Sequence, residues 1–175
     1  YTVRLGLLST LRLTPTSYLV LGLVRLSGEA TPYQLKQRVE LGLGDLWSVP
    51  HAQVYREPGR LAAAGLLDET VEAGGRRRRL YRMTPKGEQT LADWLADPVT
   101  EFTELRDPGL LKLFLGADPA ALARGQLSLH EAQLARYQEL RSTGGDDIPT
   151  GPRLALEAGI GHEREWVRFW KKLTT

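Results

Sequence analysis

A group of basic and polar side chains in the first half of the chain has the chemistry needed to bind a nucleic acid. Gln53, Arg56 and Arg60 are spaced three and four residues apart, so they would share one face of a helix. Arginine pairs well with guanine and glutamine with adenine in a major groove. Four consecutive arginines at residues 76–79 could bind backbone phosphates. Either group alone is commonly a solvated polar surface, and it is their closeness in the chain that favours nucleic-acid binding.

The first group lies in a segment that we predict to be one helix over residues 49–64. Ser48 is a suitable N-cap, because its side-chain oxygen can accept a hydrogen bond from a first-turn amide. Pro50 is tolerated in a first turn, where the backbone amide has no helical partner. Gly65 suits the left-handed residue that ends a helix.

The sequence Pro58-Gly59 falls inside this predicted helix. Val54, Pro58 and Leu61 form its apolar face, opposite the polar one. Proline cannot donate a hydrogen bond to the carbonyl of Val54 and crowds the preceding turn, so we predict a bend there. A bend would change how far Arg60 reaches.

A basic hairpin follows the helix. Residues 66–71 and 80–83 are expected to be two strands, and Gly74-Gly75 between them can supply the positive φ angles of a tight turn. A helix followed by a basic hairpin is the pattern of a winged helix. In that arrangement the helix enters a major groove and the wing touches phosphates.

The preceding residues supply the rest of a helix-turn-helix. Thr14-Pro15 and Thr31-Pro32 are start signals for helices, the first ending at Ser27-Gly28 and the second spanning residues 33–39. Two helices that lead into the helix at 49–64 make a helix-turn-helix within a domain of residues 14–96. Residues 1–13 are an N-terminal extension to which we assign no function.

The second half of the chain is expected to be all-helical. A helix from Thr84-Pro85 ends near Ala96, and residues 97–108 form a linker to a helical domain of residues 109–175. Its helices are predicted at 109–116, from 118 to about 141 and from about 152 to 173, with a flexible break at 142–149. Long amphipathic helices outside a small domain need cover, which a symmetric partner chain would provide.

Composition excludes several classes of function. The 175 residues contain no cysteine, which rules out disulfides, thiol catalysis and cysteine-ligated metals. The three histidines are scattered without ligand spacing; His51 could touch a phosphate, whereas His130 and His162 fit a helix surface or interface. No apolar run approaches the roughly 18 to 20 residues of a membrane span, and we see no secretory signal. A cytoplasmic protein that is not an enzyme, without cofactor or metal, is the expectation.

Charge is uneven along the chain. The net charge is +2, yet residues 1–95 carry 13 Lys/Arg against 9 Asp/Glu, while residues 96–175 carry 10 against 12. Binding to a polyanion depends on local charge, so the small total is compatible with nucleic-acid binding.

With these elements in place, the sequence resembles the PadR family of transcriptional regulators over nearly its whole length, from about Leu13 to Leu173. The order and spacing of several short motifs carry the resemblance, and no single motif is decisive. They are LTPTSYLVLGL at 13–23, YQL at 33–35, HAQVYR at 51–56, LAAAGL at 61–66, RRLY at 78–81, TPKG at 84–87, LKLFLG at 111–116 and LALEAGI at 154–160. Two features depart from the family pattern: Pro58-Gly59 and the residues before Leu13.

The resemblance implies a homodimeric winged-helix repressor of double-stranded operator DNA, mainly α-helical with a small β-hairpin wing, with dimerisation through the C-terminal helices. It also suggests a small hydrophobic or phenolic effector. The residues expected to contact DNA are Tyr33, Ser48, His51, Gln53, Tyr55, Arg56, Arg60, Arg76, Arg77, Arg78, Arg79 and Tyr81. Those considered for the effector are Trp94, Phe114 and Trp166, although Trp166 and Trp170 fit a dimer core at least as well.

A second hypothesis is a winged-helix module that binds an acidic protein partner through its basic wing. An enzyme ranks last, because the sequence offers no nucleophile motif or metal cluster.

Overall fold

The computed structural model describes residues 12–42, 47–73 and 77–174 of the chain. It forms two compact units, residues 1–100 and 101–175, and each is considered by itself. The division between them falls within the predicted linker at 97–108.

Within its described residues, the first unit combines four helices with a small antiparallel sheet. Its elements in order are α1 (Pro15–Ser27), β1 (Glu29–Ala30), α2 (Pro32–Gly42), α3 (His51–Ala63), β2 (Leu67–Val71), β3 (Arg79–Met83) and α4 (Pro85–Ala96). The strand order is β1-β3-β2, with Ala30 opposite Tyr81 and Glu69 opposite Tyr81 from the other side. The predicted mainly helical winged fold is therefore confirmed, whereas the two-residue strand β1 was not predicted.

The Thr-Pro signals begin three of these helices. The amide of Thr14 donates to Oγ of Ser17 at 2.8 Å at the start of α1, and the amide of Thr31 donates to Gln34 at 2.9 Å before α2. Oγ1 of Thr84 accepts from the amide of Gly87 at 3.0 Å at the start of α4. Each bond gives a partner to a backbone amide at the start of the helix, where the helix itself provides no acceptor.

One hydrophobic core holds the first unit together. It takes residues from α1, α2, α3, the sheet and α4, and its completely buried side chains include Val20, Leu21, Val24, Leu35, Val54 and Leu61. Burial of such side chains contributes roughly 1.5 to 3 kcal/mol each before the cost of chain ordering. The core therefore fixes α3 against α1 and α2.

The second unit consists of α5 (Pro108–Phe114), α6 (Pro119–Gly144), a short 3-10 helix (Gly145–Asp147) and α7 (Thr150–Lys172). The helix predicted to end near Arg141 continues to Gly144, so the break at 142–149 is shorter than expected. α6 packs along α7. A Cβ atom at Gly159 would lie 3.0 Å from the ring of Tyr137, so glycine permits the close approach.

The α6–α7 contact also contains polar and aromatic pairs. Nδ1 of His130 lies 2.6 Å from Oε2 of Glu163, and both side chains are largely buried. Trp170 is completely buried within one chain, so it does not need a partner subunit to cover it. None of the helices within the described residues combines the length and apolar character of a membrane span.

Candidate nucleic-acid interface

α3 presents a polar face to solvent because its apolar face is fixed in the core. Val54, Pro58 and Leu61 are its buried residues, as the spacing predicts. On the opposite side the side chains are exposed, and they include His51, Gln53, Tyr55 and Arg56. An exposed row of this kind on a helix seated against two others has the geometry that reads a DNA groove.

The start of α3 differs from the prediction. The helix begins at His51, and Pro50 occupies the N-cap position, with no capping bond from a side chain. Ser48 lies two residues earlier and is exposed, so the predicted N-cap role of Ser48 is wrong. The reason is that Pro50 precedes the helical turn and does not belong to it.

At the end of α3 the prediction is confirmed. Gly65 has φ of +72° and follows the last turn. The amide of Gly65 donates to the carbonyl of Ala62 at 2.9 Å, and that of Leu66 to the carbonyl of Leu61 at 3.0 Å. These two bonds form a Schellman motif, which requires the left-handed residue that glycine supplies at little cost.

Charged and polar side chains of α2 lie beside the first turn of α3. Nε2 of His51 lies 3.3 Å from Oε1 of Glu40, which also bonds Lys36 at 2.7 Å. Tyr33 is 56% exposed and its hydroxyl accepts from Gln37 at 3.1 Å. Tyr33 and His51 therefore remain accessible on the helix-turn-helix surface.

Gln53 and Arg56 are the best placed of the predicted base-reading residues. Gln53 is exposed, and Oγ1 of Thr16 on α1 donates to its Oε1 at 3.4 Å. The side chain of Arg56 has no hydrogen bond or ion pair within the described part of the chain, so its guanidinium keeps all its donors for a ligand.

Arg60 has a different environment. Its Nε donates to Oε2 of Glu57 at 2.9 Å and its Nη2 to Oε1 of Glu57 at 2.5 Å, and Nη2 also donates to Oγ of Ser17 at 2.9 Å. Nη1 donates to the backbone carbonyl of Arg12 at 3.2 Å. The guanidinium is hydrogen-bonded to Glu57, Ser17 and the backbone of Arg12, which argues against the groove-contacting role predicted for Arg60.

The same contacts alter the acidity of Glu57. Burial alone would raise the pKa of this carboxyl, but the hydrogen bonds from Arg60 and Ser17 outweigh it and hold the pKa below its usual value. Glu57 is therefore a carboxylate at neutral pH, and it fixes Arg60 in place.

α3 continues through Pro58 as one helix over His51–Ala63, and the bend predicted at Pro58 stays a prediction. Pro58 is completely buried, and the hydroxyl of Tyr81 lies 3.7 Å from the position of a Cβ atom at Gly59. The ring of Pro58 therefore packs in the core, and Gly59 lies beside Tyr81 of the sheet.

The wing exposes its arginines but not its tyrosine. Arg77, Arg78 and Arg79 are exposed, and Nη1 of Arg79 donates to Glu69 at 2.9 Å. Tyr81 is only 2% exposed and its hydroxyl donates to Oε2 of Glu69 at 3.0 Å, which argues against the DNA contact predicted for Tyr81. The alternation of side chains along β3 turns Tyr81 inward. Burial, and to a smaller extent the hydrogen bond to Glu69, raises the pKa of the Tyr81 hydroxyl.

The turn of the wing is only partly described. Arg77 has φ of +44°, an uncommon left-handed conformation for a residue with a side chain. The predicted turn glycines Gly74 and Gly75, and Arg76, lie outside the described residues.

The three candidates for an effector site lie apart in the sequence and in different surroundings. Trp94, in the first unit, stacks on Tyr18 at a centroid distance of 4.5 Å and lines a depression of about 630 Å³ with Asp93 and Asp97. Trp166, in the second unit, lines an open depression of about 390 Å³ along α7. Phe114 is 88% exposed and lines neither depression.

Sequence reasoning missed the residues that support the interface. Ser17 is a completely buried polar residue of the first unit, and its hydrogen bond to Arg60 comes from a distant helix. Glu57 and Arg60 have the three-residue spacing of a helical ion pair, which could have indicated their contact. Arg82 on β3 pairs with Glu29 on β1 at 2.7 Å, a contact that only the sheet brings together. Within the described residues no group of acidic or histidine side chains is arranged to hold a metal ion.

The chain matches two family models. Residues 20–93 match the transcriptional regulator PadR-like family, and residues 105–174 match the model described as virulence activator alpha C-term. Together they cover both structural units.

Similar proteins agree with this match. The negative transcriptional regulator PadR of Bacillus subtilis (strain 168) is 29% identical over 173 residues, covering 89% of this chain and 93% of that protein. A crystal structure of Bacillus subtilis PadR in complex with operator DNA superposes with a TM-score of 0.80 at 24% identity, covering 90% of this chain and 96% of the other. The structure of the same protein in complex with p-coumaric acid gives 0.75 at 24% identity, covering 93% and 97%. Residues 20–93 therefore match the PadR-like family of transcriptional regulators, and the chain as a whole is similar to the negative transcriptional regulator PadR of Bacillus subtilis.

Proposed function

We propose that the protein is a homodimeric repressor that binds a specific operator in double-stranded DNA through α3 and the wing. The observation that carries the proposal is the exposed face of α3. There Gln53 and Arg56 lie on the side of the helix away from its buried apolar face. The guanidinium of Arg56 has no partner among the described residues. The related Bacillus subtilis protein is a negative regulator, and its structure contains operator DNA. A repressor of this kind would act in the cytoplasm, where the chromosome is.

The two parts of the interface have different tasks in this proposal. Gln53 and Arg56 read bases in the major groove, with Tyr33, Ser48, His51 and Tyr55 near the backbone. The wing arginines bind phosphates, which carry no sequence information but supply affinity that falls with salt. Tyr81 and Arg60 are left out, because the first is buried and the second is held by Glu57.

Dimerisation through the second unit is supported by apolar side chains that one chain leaves uncovered. Phe114 is 88% exposed, Leu115 73% and Leu129 66%. A second copy of the chain would cover them, and a two-fold symmetric dimer would place two α3 helices at half-sites about one helical turn, roughly 34 Å, apart.

A small aromatic effector is part of the proposal because related PadR also has a structure with p-coumaric acid. Of the three candidates, Trp94 and Trp166 line depressions that can admit a planar molecule against an indole ring. Phe114 fits the dimer surface better than a ligand site, since it belongs to neither depression.

Fluorescence anisotropy across a salt series tests the DNA-binding proposal. The DNA would be a fragment upstream of the protein's own gene, compared with the same bases scrambled. We expect selective binding that saturates at two chains per site. Replacing Arg77, Arg78 and Arg79 with alanine should weaken binding to both DNAs and flatten the salt dependence, the slope falling by about 0.9 for each phosphate that is no longer neutralised.

The helix variants should behave differently. Arg56→Ala and Gln53→Ala should lose affinity mainly for the specific fragment, by about 1 to 3 kcal/mol for each well-made pairing with a base. Arg25→Ala is the matched control, because Arg25 is an exposed arginine at the end of α1, outside the proposed interface. Equal, weak binding to both DNAs by the parent protein would contradict the proposal and favour a protein-interaction module.

A further inference from the structure

The recognition helix contains a weak point just after its exposed base-reading residues. Pro58 has no amide to donate to the carbonyl of Val54, so one hydrogen bond of the α-helical ladder is absent by chemistry. Gly59 follows, and glycine has the greatest backbone freedom of any residue. A helix built this way bends or frays easily unless something outside its own ladder holds it.

A polar cluster spans this point. We define it as the Ser17–Glu57–Arg60 cluster. Glu57 precedes Pro58 and Arg60 follows Gly59, and their two hydrogen bonds at 2.9 and 2.5 Å bridge the Pro-Gly pair along the helix. The bond from Arg60 to Oγ of Ser17 at 2.9 Å connects this bridge to α1, whose Ser17 is completely buried.

The cluster is also fixed at its far end. Oγ of Ser17 accepts from the amide of Thr14 at 2.8 Å, so it belongs to the cap of α1. Nη1 of Arg60 reaches the carbonyl of Arg12 at 3.2 Å. Charge-assisted bonds of this kind are short and directional, so they set the position of α3 relative to the start of α1.

We propose that Ser17, Glu57 and Arg60 are positioning residues for DNA recognition, which hold α3 rigid across Pro58 so that its exposed residues present one fixed geometry to the bases. This inference rests on the proposed DNA-binding function. The cluster does not touch the DNA itself. Its charges compensate each other, so Arg60 does not add to general attraction for phosphates.

Removing the carboxylate should have two effects with opposite signs. In Glu57→Gln the side chain keeps its shape but no longer compensates Arg60, one turn after Arg56 on the same helix. The released guanidinium gains access to phosphates, so binding to scrambled DNA should strengthen and its salt slope should steepen by up to about 0.9 per protomer. Selectivity for the specific fragment should fall on the order of tenfold, comparable with one mismatched base pair.

The experiment compares the parent with Glu57→Gln, Arg60→Lys and Ser17→Ala, using the full-length protein and both DNAs. Arg60→Lys keeps the charge, which Glu57 still compensates, but cannot make the paired bonds, so selectivity should fall while the salt slope stays near that of the parent. Ser17→Ala removes the link between Arg60 and α1 together with the capping bond from the amide of Thr14, but it keeps the Glu57–Arg60 pair and should cause a smaller loss of selectivity. Glu88→Gln is the matched control, since Glu88 is an exposed carboxylate on α4 with no side-chain bond among the described residues.

Amide hydrogen exchange of free protein provides a readout that does not depend on DNA. Exchange in residues 59–63 of α3 should accelerate in Glu57→Gln and Arg60→Lys but not in Glu88→Gln. Parent-like selectivity in a folded Glu57→Gln protein would overturn the inference. So would slower or unchanged exchange in that segment. If Glu57→Gln does not fold, selectivity and exchange in Ser17→Ala decide the question. Absence of selective binding by the parent would instead refute the proposed function, and exchange would still report on the cluster.

Discussion

Replacing Gly87 with alanine should strongly destabilise the first unit, although alanine is the better helix former. Gly87 lies in the first turn of α4, directly after the wing. A Cβ atom there would lie 2.1 Å from the carbonyl oxygen of Leu66 and 3.1 Å from its carbonyl carbon. Both atoms belong to the backbone, so they cannot rotate away as the end of a side chain could.

The magnitude follows from three contributions. Forcing an extra carbon into a packed site costs about 1 to 3 kcal/mol, and more when backbone must move. Shifting the first turn of α4 also weakens the 3.0 Å bond from the Gly87 amide to Thr84, a cap that contributes about 1 kcal/mol. The gain in helix propensity offsets about 1 kcal/mol. The net loss is about 1 to 3 kcal/mol, or roughly 4 to 24 °C in the melting temperature of a unit of this size.

Gly22 supplies the matched control. It lies within α1, and a Cβ atom there meets nothing within 4 Å among the described residues. Gly22→Ala should therefore stabilise the protein by about 0.5 to 1 kcal/mol. Thermal and urea unfolding, followed by circular dichroism, would measure both variants. A Gly87→Ala protein as stable as Gly22→Ala would refute the close approach between α4 and the start of the wing.

Three further predictions concern the clusters and surfaces described above. Because the pKa of Glu57 is lower in the folded protein, its contribution to stability is complete above the usual value of 4.5 and is lost as pH falls through the folded pKa. The stability difference between the parent and Glu57→Gln should thus shrink on acidification in denaturation series, and a constant difference would contradict this. Tyr81→Phe removes a 3.0 Å bond to Glu69 and should cost about 1 to 2 kcal/mol in urea unfolding, whereas no loss would mean that the bond contributes nothing net. Phe114→Glu should leave the fold intact, since Phe114 is 88% exposed in one chain, but shift sedimentation from dimer towards monomer; an unchanged dimer would remove Phe114 from the interface.

Elements with local signals could be predicted from the sequence. Thr14, Thr84 and Gly65 act within four residues of their own position, so the helix starts and the helix end they indicate are found in the structure. The periodic burial of Val54 and Leu61 on α3 follows from the same local geometry.

Features that depend on residues distant in the chain could not be predicted from the sequence. β1 is two residues long and has no periodicity of its own; it exists because Arg82 and Tyr81 arrive opposite it. From the sequence, Arg60 is expected on the exposed face of α3. Only the folded structure shows that Ser17, 43 residues earlier in the chain, lies beside it. Ser48 failed as a cap for a local reason, since a proline between a capping residue and the helix moves the start.

The order of the strands has a consequence for how the protein is made. β3 is the central strand, with β2 on one side and β1 on the other. During synthesis β1 leaves the ribosome with α1 and α2, well before β3 exists, so its edge has no partner until the wing follows. The β2–β3 hairpin can close locally, whereas joining β1 requires a long loop to close. The last step in forming this sheet should therefore be the attachment of the wing to the helix-turn-helix. A nascent chain stopped before Arg79 should contain α1, α2 and α3 without a stable docking of β1.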